Sequence, residues 1–512
     1  MTATVRVLDG LAVVIALALL VMLATGVIAL GAAVLDRPED LLVALVVVVA
    51  TRAWLRPIPL PAVRPGRAVA LGVVVYVLVM SFIALTRHAA LRSHALDLGQ
   101  YLQIVWNIAH GRGPVSTVVP TYMTAERMHA WGDHFSPVFY LLAPLQRVAP
   151  GAASLLLAQT VILAAGAPVV YRWATRVLGD PRAAAAFALL YLVSPSLQGI
   201  NARDIHPAAF AIPLLLAAAW AVDAGRWGWG VAALVLTLAC REDAAVAVVG
   251  FAVWLALARR RHVAAAVVAA AALAVLAVDV SLLMPRFRGG AYVHLGRYAH
   301  LGTSLGGIVV SLALRPWRWI AIGLTPARLV YLGALLLPLA LLPLRAPLVA
   351  AAAVPGLAIN LLALDPKLVD PQAQYQAFVL PFLVLAAVEG YRRLRDERWR
   401  RLALPAAFAL SLVLTARTAN DLSVRFWGFG DVQRGAYALM ARVPAGAAIS
   451  ANERLVPHLA TRPEVHVFPR GLDTSEYVLE MRSAAARVPS DRYAVVASAD
   501  PWVLWQRSGS GR

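Results

Sequence analysis

The feature that most constrains this chain is a succession of apolar runs, separated by short turns that carry arginine or mixed polar residues. Crossing about 30 Å of hydrocarbon takes roughly 17–25 apolar residues in a helix. Backbone N–H and C=O groups find no water there, so a span must be helical or part of a closed barrel. Runs of this length with so few charges specify helices. Only 14% of residues are charged and 61% are hydrophobic, whereas about a quarter are charged in soluble domains. A water-soluble fold of 512 residues would lack the polar surface to enclose them. The expected class is an all-α polytopic membrane protein.

The formal net charge is +19, almost all from arginine; Lys367 is the only lysine. The arginines sit between apolar runs rather than on one face, so membrane orientation explains them and nucleic acid is not an expected partner. Cys240 is the only cysteine, which excludes an intramolecular disulfide and a cysteine-cluster metal site.

Arginine clusters at 52–67, 172–182, 259–261 and 392–401 mark one side as cytoplasmic. Residues 11–34 follow Arg6 and read as a signal anchor, and residues 41–49 return inward. Residues 68–85 then lead outward to a polar loop. Alternating runs give about thirteen spans in all, with the amino terminus inside and the tail outside a plasma (inner) membrane. From about residue 420 the composition changes. Residues 447–450, 465–468 and 493–497 read as strands, and 454–461 as a short helix. The organisation expected is a transmembrane hairpin over 1–67, a membrane core over 68–418 with an outer loop at 87–151, and a small extracytoplasmic α/β domain over 419–512.

On this topology the outward turns gather the ionisable residues that are not arginine clusters: Asp97, Asp133-His134, Arg203-Asp204-His206, Arg241-Glu242-Asp243, and His294, Arg297, Tyr298 and His300. Charges held at or below headgroup level are costly and are usually paired or functional. Asp97 precedes a helix expected at 98–109. It reads either as that helix's N-cap or as a carboxylate tuned for proton transfer; the two do not exclude each other. Asp133-His134 and Asp204 with His206 have ligand chemistry, but a structural hydrogen bond is the plainer reading and neither has a zinc-motif spacing. Ser136 and Pro137 suit a helix start. No Walker loop, dinucleotide fingerprint or nucleophile elbow occurs.

Several short strings occur in a characteristic order: Asp97-Leu98-Gly99-Gln100-Tyr101 with Trp106-Asn107 and Gly111, His134-Phe135-Ser136-Pro137, Gln159, His206-Pro207, Arg241-Glu242-Asp243, then Asn452, Pro457-His458-Leu459 and Arg462. They resemble a family of bacterial integral membrane proteins designated domain of unknown function 2079, which in turn resembles the GT-C membrane glycosyltransferases. The resemblance implies a catalytic acid in the first outer loop, a polyprenyl-phosphate sugar as donor, and an envelope glycan, lipid or protein as acceptor. On that footing Asp97 is the general base. Gln100, Tyr101, His134, Arg203, His206, Arg241, Glu242, Arg297 and Tyr298 are the expected substrate contacts. Many GT-C enzymes pair acidic residues at the position of Asp97, which has no acidic neighbour in sequence. No metal ligands are therefore assigned, and a divalent metal stays an open cofactor. A transporter or flippase is a rival reading, although charges at span ends weigh against it, Asp279 excepted. A non-enzymatic envelope scaffold is another.

Overall fold

The computed structural model describes residues 2–30, 33–56, 58, 63–428 and 430–509. Parts of the expected 1–67 hairpin, residues 31, 32, 57 and 59–62 among them, lie outside the described residues. The chain is mostly helical, with a small mixed sheet near its end.

Helix Pro65–Ala89 illustrates how a lipid-facing span is built. Arg64 and Pro65 set its start, because proline's fixed φ suits the first helical position. Val69, Tyr76, Met80, Ile83 and Ala84 are buried, while Leu71, Val74, Val75 and Leu78 are exposed. The buried residues make a narrow stripe of helical period. The exposed apolar remainder requires lipid to cover it. Deeper in the bundle, Leu380–Arg392 is buried continuously from Leu380 to Tyr391, and helices Gly166–Leu178 and Ala211–Asp223 pack against it.

Among the described residues, five helices are long and apolar enough to cross a membrane: Ala3–Thr25, Pro65–Ala89, Ala152–Leu178, Pro181–Ala202 and His262–Arg288. Two bent pairs, Pro316–Gly323 with Pro326–Leu339 and Glu397–Leu414 with Ala416–Leu422, raise this to seven if each is one span. That is fewer than the thirteen or so expected from runs of spanning length. The physical reason is length. Helices Pro207–Asp223, Trp227–Leu238, Ala244–Leu257 and Pro347–Leu362 have only 10–17 residues. A twelve-residue helix such as Trp227–Leu238 rises about 18 Å, well short of the hydrocarbon thickness. Polar turns at 203–206 and 241–243 are thereby drawn into the bundle.

The tail forms a five-stranded sheet in the order Val465–Val467, Ile449–Ala451, Tyr477–Met481, Trp502–Arg507, Tyr493–Ala499. The first three strands pair in parallel and the last two pairings are antiparallel. Three strands match the expected ones to within a few residues. Tyr477–Met481 and Trp502–Arg507 were not expected. The short helix is Val456–Leu459 rather than 454–461.

Candidate active site

Helix Pro65–Ala89 ends at a turn in which Leu91 takes a left-handed φ of 59°. The chain then enters a π-helical turn, Ala95–Gly99, that runs directly into helix Gln100–Ala109. Such turns are rare and concentrate at functional sites. Asp97 lies inside this turn and His94 occupies the N-cap position, so the N-cap reading of Asp97 does not hold. Ala95 and Leu98 are fully buried, and their burial extends the helix upstream of Asp97. The Asp97 side chain keeps 42% of its exposure.

His206 reaches Asp97 from a different element. Gln159, fully buried, clamps the 204–206 turn: its amide donates to the Asp204 carbonyl at 2.7 Å, and its Oε1 accepts from the His206 N–H at 2.8 Å. Asp204 is held at φ 47°, a strained value for a non-glycine residue. His206 is 3% exposed, and its Nε2 lies 3.4 Å from Asp97 Oδ1. Neither imidazole nitrogen has a hydrogen-bond partner, so this is an ion-pair approach rather than an aligned hydrogen bond. The Asp204 carboxylate accepts from the His94 N–H at 2.8 Å, and His94 Nδ1 lies 3.1 Å from Glu453 of the tail. Asp97 therefore does have an acidic neighbour, supplied by a distant loop: its charge helps raise the Asp204 carboxyl.

Burial pulls the Asp97 carboxyl upward, but the charge and contact of His206, then the charge of His94, outweigh it and leave Asp97 below its ordinary value. Asp204 is raised, by burial first and by Asp97 among lesser causes, against the lowering effect of the His94 N–H. The two carboxyls are pushed apart, one toward the charged form and one toward the neutral form.

A second group adjoins the first. Glu242 is buried; its Oε1 lies 2.9 Å from His134 Nδ1 and accepts from the Tyr292 hydroxyl at 3.1 Å, while Oε2 accepts from the Phe135 N–H at 3.1 Å. The His134 ring stacks on His294 at 4.5 Å and 5°. Asp133 Oδ1 accepts from the Tyr122 hydroxyl at 2.5 Å, and its carbonyl lies 3.3 Å from His294 Nε2. Asp133, His134 and His294 could together hold a metal ion. Tyr101 connects the groups: its ring is 6.4 Å from that of His206, and its phenol, raised by burial first, also feels Asp97, Arg241 and Asp133.

Arg241 is 3% exposed and makes two 2.6 Å bonds to Asp243. It and Arg297 share the Tyr375 ring, at 5.8 Å and 5.6 Å from its centroid. Of the remaining expected contacts, Arg203 pairs with Asp370 at 2.6 Å and Tyr298 donates to the Ile359 carbonyl at 3.0 Å. Gln100 is buried and donates to the Met128 sulfur at 3.3 Å, a packing role. Ser136 caps no helix: the next one begins at Phe139, and the Ser136 hydroxyl is buried without a partner. Tyr122, Tyr292 and Gln159 help to build the site, but sequence reasoning gave none of them a role in it. For the two tyrosines no motif could have marked them.

No curated protein matches this chain at a significant level. Two crystal structures of ArnT from Cupriavidus metallidurans, one bound to undecaprenyl phosphate and one in the apo state, are similar to it. The first covers 86% of this chain and 98% of that one at 15% identity, with a TM-score of 0.51; the second covers 85% and 97% at the same identity and TM-score. This likeness is one of fold. The family described as "Predicted membrane protein (DUF2079)" matches residues 87–490, most of the chain, and the protein belongs to that family.

Proposed function

We propose that this protein transfers a sugar from a polyprenyl-phosphate donor to an acceptor hydroxyl at the extracytoplasmic face of the inner membrane. The observation that carries the reading is the partly exposed Asp97 carboxylate. It sits in a π turn just past an apolar span and is paired with a buried, otherwise unpartnered His206. The ArnT-like fold, seen in a protein solved with undecaprenyl phosphate, supports a lipid-phosphate donor.

In this reading the acceptor oxygen attacks the anomeric carbon, the bond from that carbon to the phosphate oxygen breaks, and polyprenyl phosphate departs with the electron pair. The acceptor's proton passes to Asp97. A carboxylate held below its ordinary value is a weak base, so the transfer comes late, after the forming bond has made the proton acidic. His206 orients Asp97, while Arg297, over the Tyr375 ring beside the buried Arg241–Asp243 pair, meets the phosphate. Residues 87–151 form the outer loop of a core over 68–418, and 419–512 form the outer α/β domain.

Asp97→Asn is the test. With purified chain and a panel of polyprenyl-phosphate sugars, transfer falls by about 10²–10⁴-fold while membrane insertion and the folded state are retained. Unimpaired transfer by that variant would refute the assignment.

A further inference from the structure

Asp133, His134 and His294 each offer one ligand atom, and these atoms all lie within 4.8 Å of one another. The transfer reading gives the trio no step of its own. Asp133 and His294 are buried, at 4% and 8% exposure, and His134 is half-buried. The surrounding contacts are those that ligating histidines and carboxylates keep. His134 spends Nδ1 on Glu242, leaving Nε2 for the common point, the arrangement of a carboxylate–histidine–metal triad. Glu242 is in turn fixed by the Phe135 N–H and the Tyr292 hydroxyl. Tyr122 fixes Asp133, and His294 Nε2 lies 3.7 Å from Asp133 Oδ1.

A second, independent observation is charge. Asp279 sits in another π turn, Asp279–Leu283, where it is 2% exposed with Oδ2 unpartnered, and it interacts electrostatically with Glu242. Glu242 and Asp279 thus bring two buried carboxylates within electrostatic reach of each other. Arg241 bonds Asp243 and acts on Glu242 only through its charge, and Arg288 meets the group over the Tyr122 ring rather than at a carboxylate. Arg241 and His134 offset part of the Glu242 charge, and a divalent cation beside Glu242 would relieve its repulsion with Asp279.

We propose that Asp133, His134 and His294 form a divalent metal site of the zinc class, with Glu242 as the outer carboxylate behind His134 and a fourth coordination position open. Two imidazoles and one carboxylate suit zinc better than magnesium or calcium, which take all-oxygen shells. Neighbouring donors on a tetrahedral zinc lie about 3.3 Å apart, so binding draws the three side chains inward and turns the stacked His134 and His294 rings out of parallel, because each imidazole lone pair lies in its ring plane. The inference stands whether or not the chain transfers sugars.

The test uses the full-length chain in detergent, stripped with a chelator, desalted, and reloaded separately with Zn²⁺, Co²⁺ and Mg²⁺. Bound metal is measured by mass spectrometry, and stability by thermal melting. Stoichiometric zinc retention is expected, with a higher melting temperature and no Mg²⁺ retention. Co²⁺ should give visible absorption bands. His294→Ala should retain no zinc and lose the bands, and Glu242→Gln should bind zinc about 10–100-fold more weakly. Comparing stripped with reloaded wild type keeps the test decisive if a variant fails to fold. Wild type that retains no zinc, prefers Mg²⁺, or melts identically with and without zinc overturns the proposal. So does a folded His294→Ala chain that binds zinc as tightly as wild type.

Discussion

Glu242 and Asp97 settle different questions. Glu242 has no exposed side-chain area and answers three donors: His134, Phe135 and Tyr292. Removing it strands all three, so Glu242→Ala should cost about 3–5 kcal/mol and Glu242→Gln clearly less, as read by melting in detergent. Asp97 is half-exposed, and its effect is best read against pH. Its folded value lies below the ordinary 3.8, so folding favours the charged form. The stability this adds is complete above the unfolded value and is lost as pH falls through the folded one. The difference in stability between wild type and Asp97→Asn should therefore be flat above about pH 5 and shrink below about pH 4. A difference that instead grows on acidification would show that Asp97 is held neutral. Asp97 itself was readable from sequence because it follows an apolar run. His206 was readable as a fellow site residue, but the clamp that holds it against Asp97 was not: Gln159 bonds residues 204 and 206 through the backbone, and nothing in local spacing announces it.

At the scale of elements, the tail grips the stretch that carries Asp97. Gly99 faces Val456 and Pro457; a Cβ there would meet Val456 Cγ1 at 3.0 Å and Pro457 N at 3.4 Å. Gln103 donates to the carbonyls of Arg462 and Pro463, and Thr117 exchanges hydrogen bonds with Val465. His458 stacks on His88 at 3.9 Å. Pro457-His458-Leu459 and Arg462, read from sequence as family strings, thus serve at least in docking. Gly99→Val should push Val456–Leu459 away, loosening the tail and opening residues beyond 430 to limited proteolysis while the membrane helices stay protected. Gln103→Ala should cost about 1–3 kcal/mol, because the fully buried Gln103 also accepts from Ser116 and Thr117 through its Oε1. The individual strands and helices were partly readable from periodicity. Their docking was not, since it joins residues more than 340 positions apart.

For the whole molecule, the first question is which side of the membrane each turn occupies. The single cysteine, Cys240, is fully buried, so introduced cysteines report cleanly. On the proposed orientation, His110→Cys should react with a membrane-impermeant maleimide in intact cells, and Arg260→Cys only after permeabilisation; both positions are exposed. The reverse pattern would put Asp97 in the cytosol and end the transfer reading. By itself the sequence determined the solvent: a chain this apolar and this poor in charge must live in lipid, and lipid demands helices. It also determined that a carboxylate follows an early span. Only the tertiary structure decided how many runs form helices long enough to cross, because helix length depends on where polar turns interrupt them. It alone decided which charges meet, because Asp97 with His206, and Asp133 and His134 with His294, are brought within a few ångströms by packing between elements far apart in the chain.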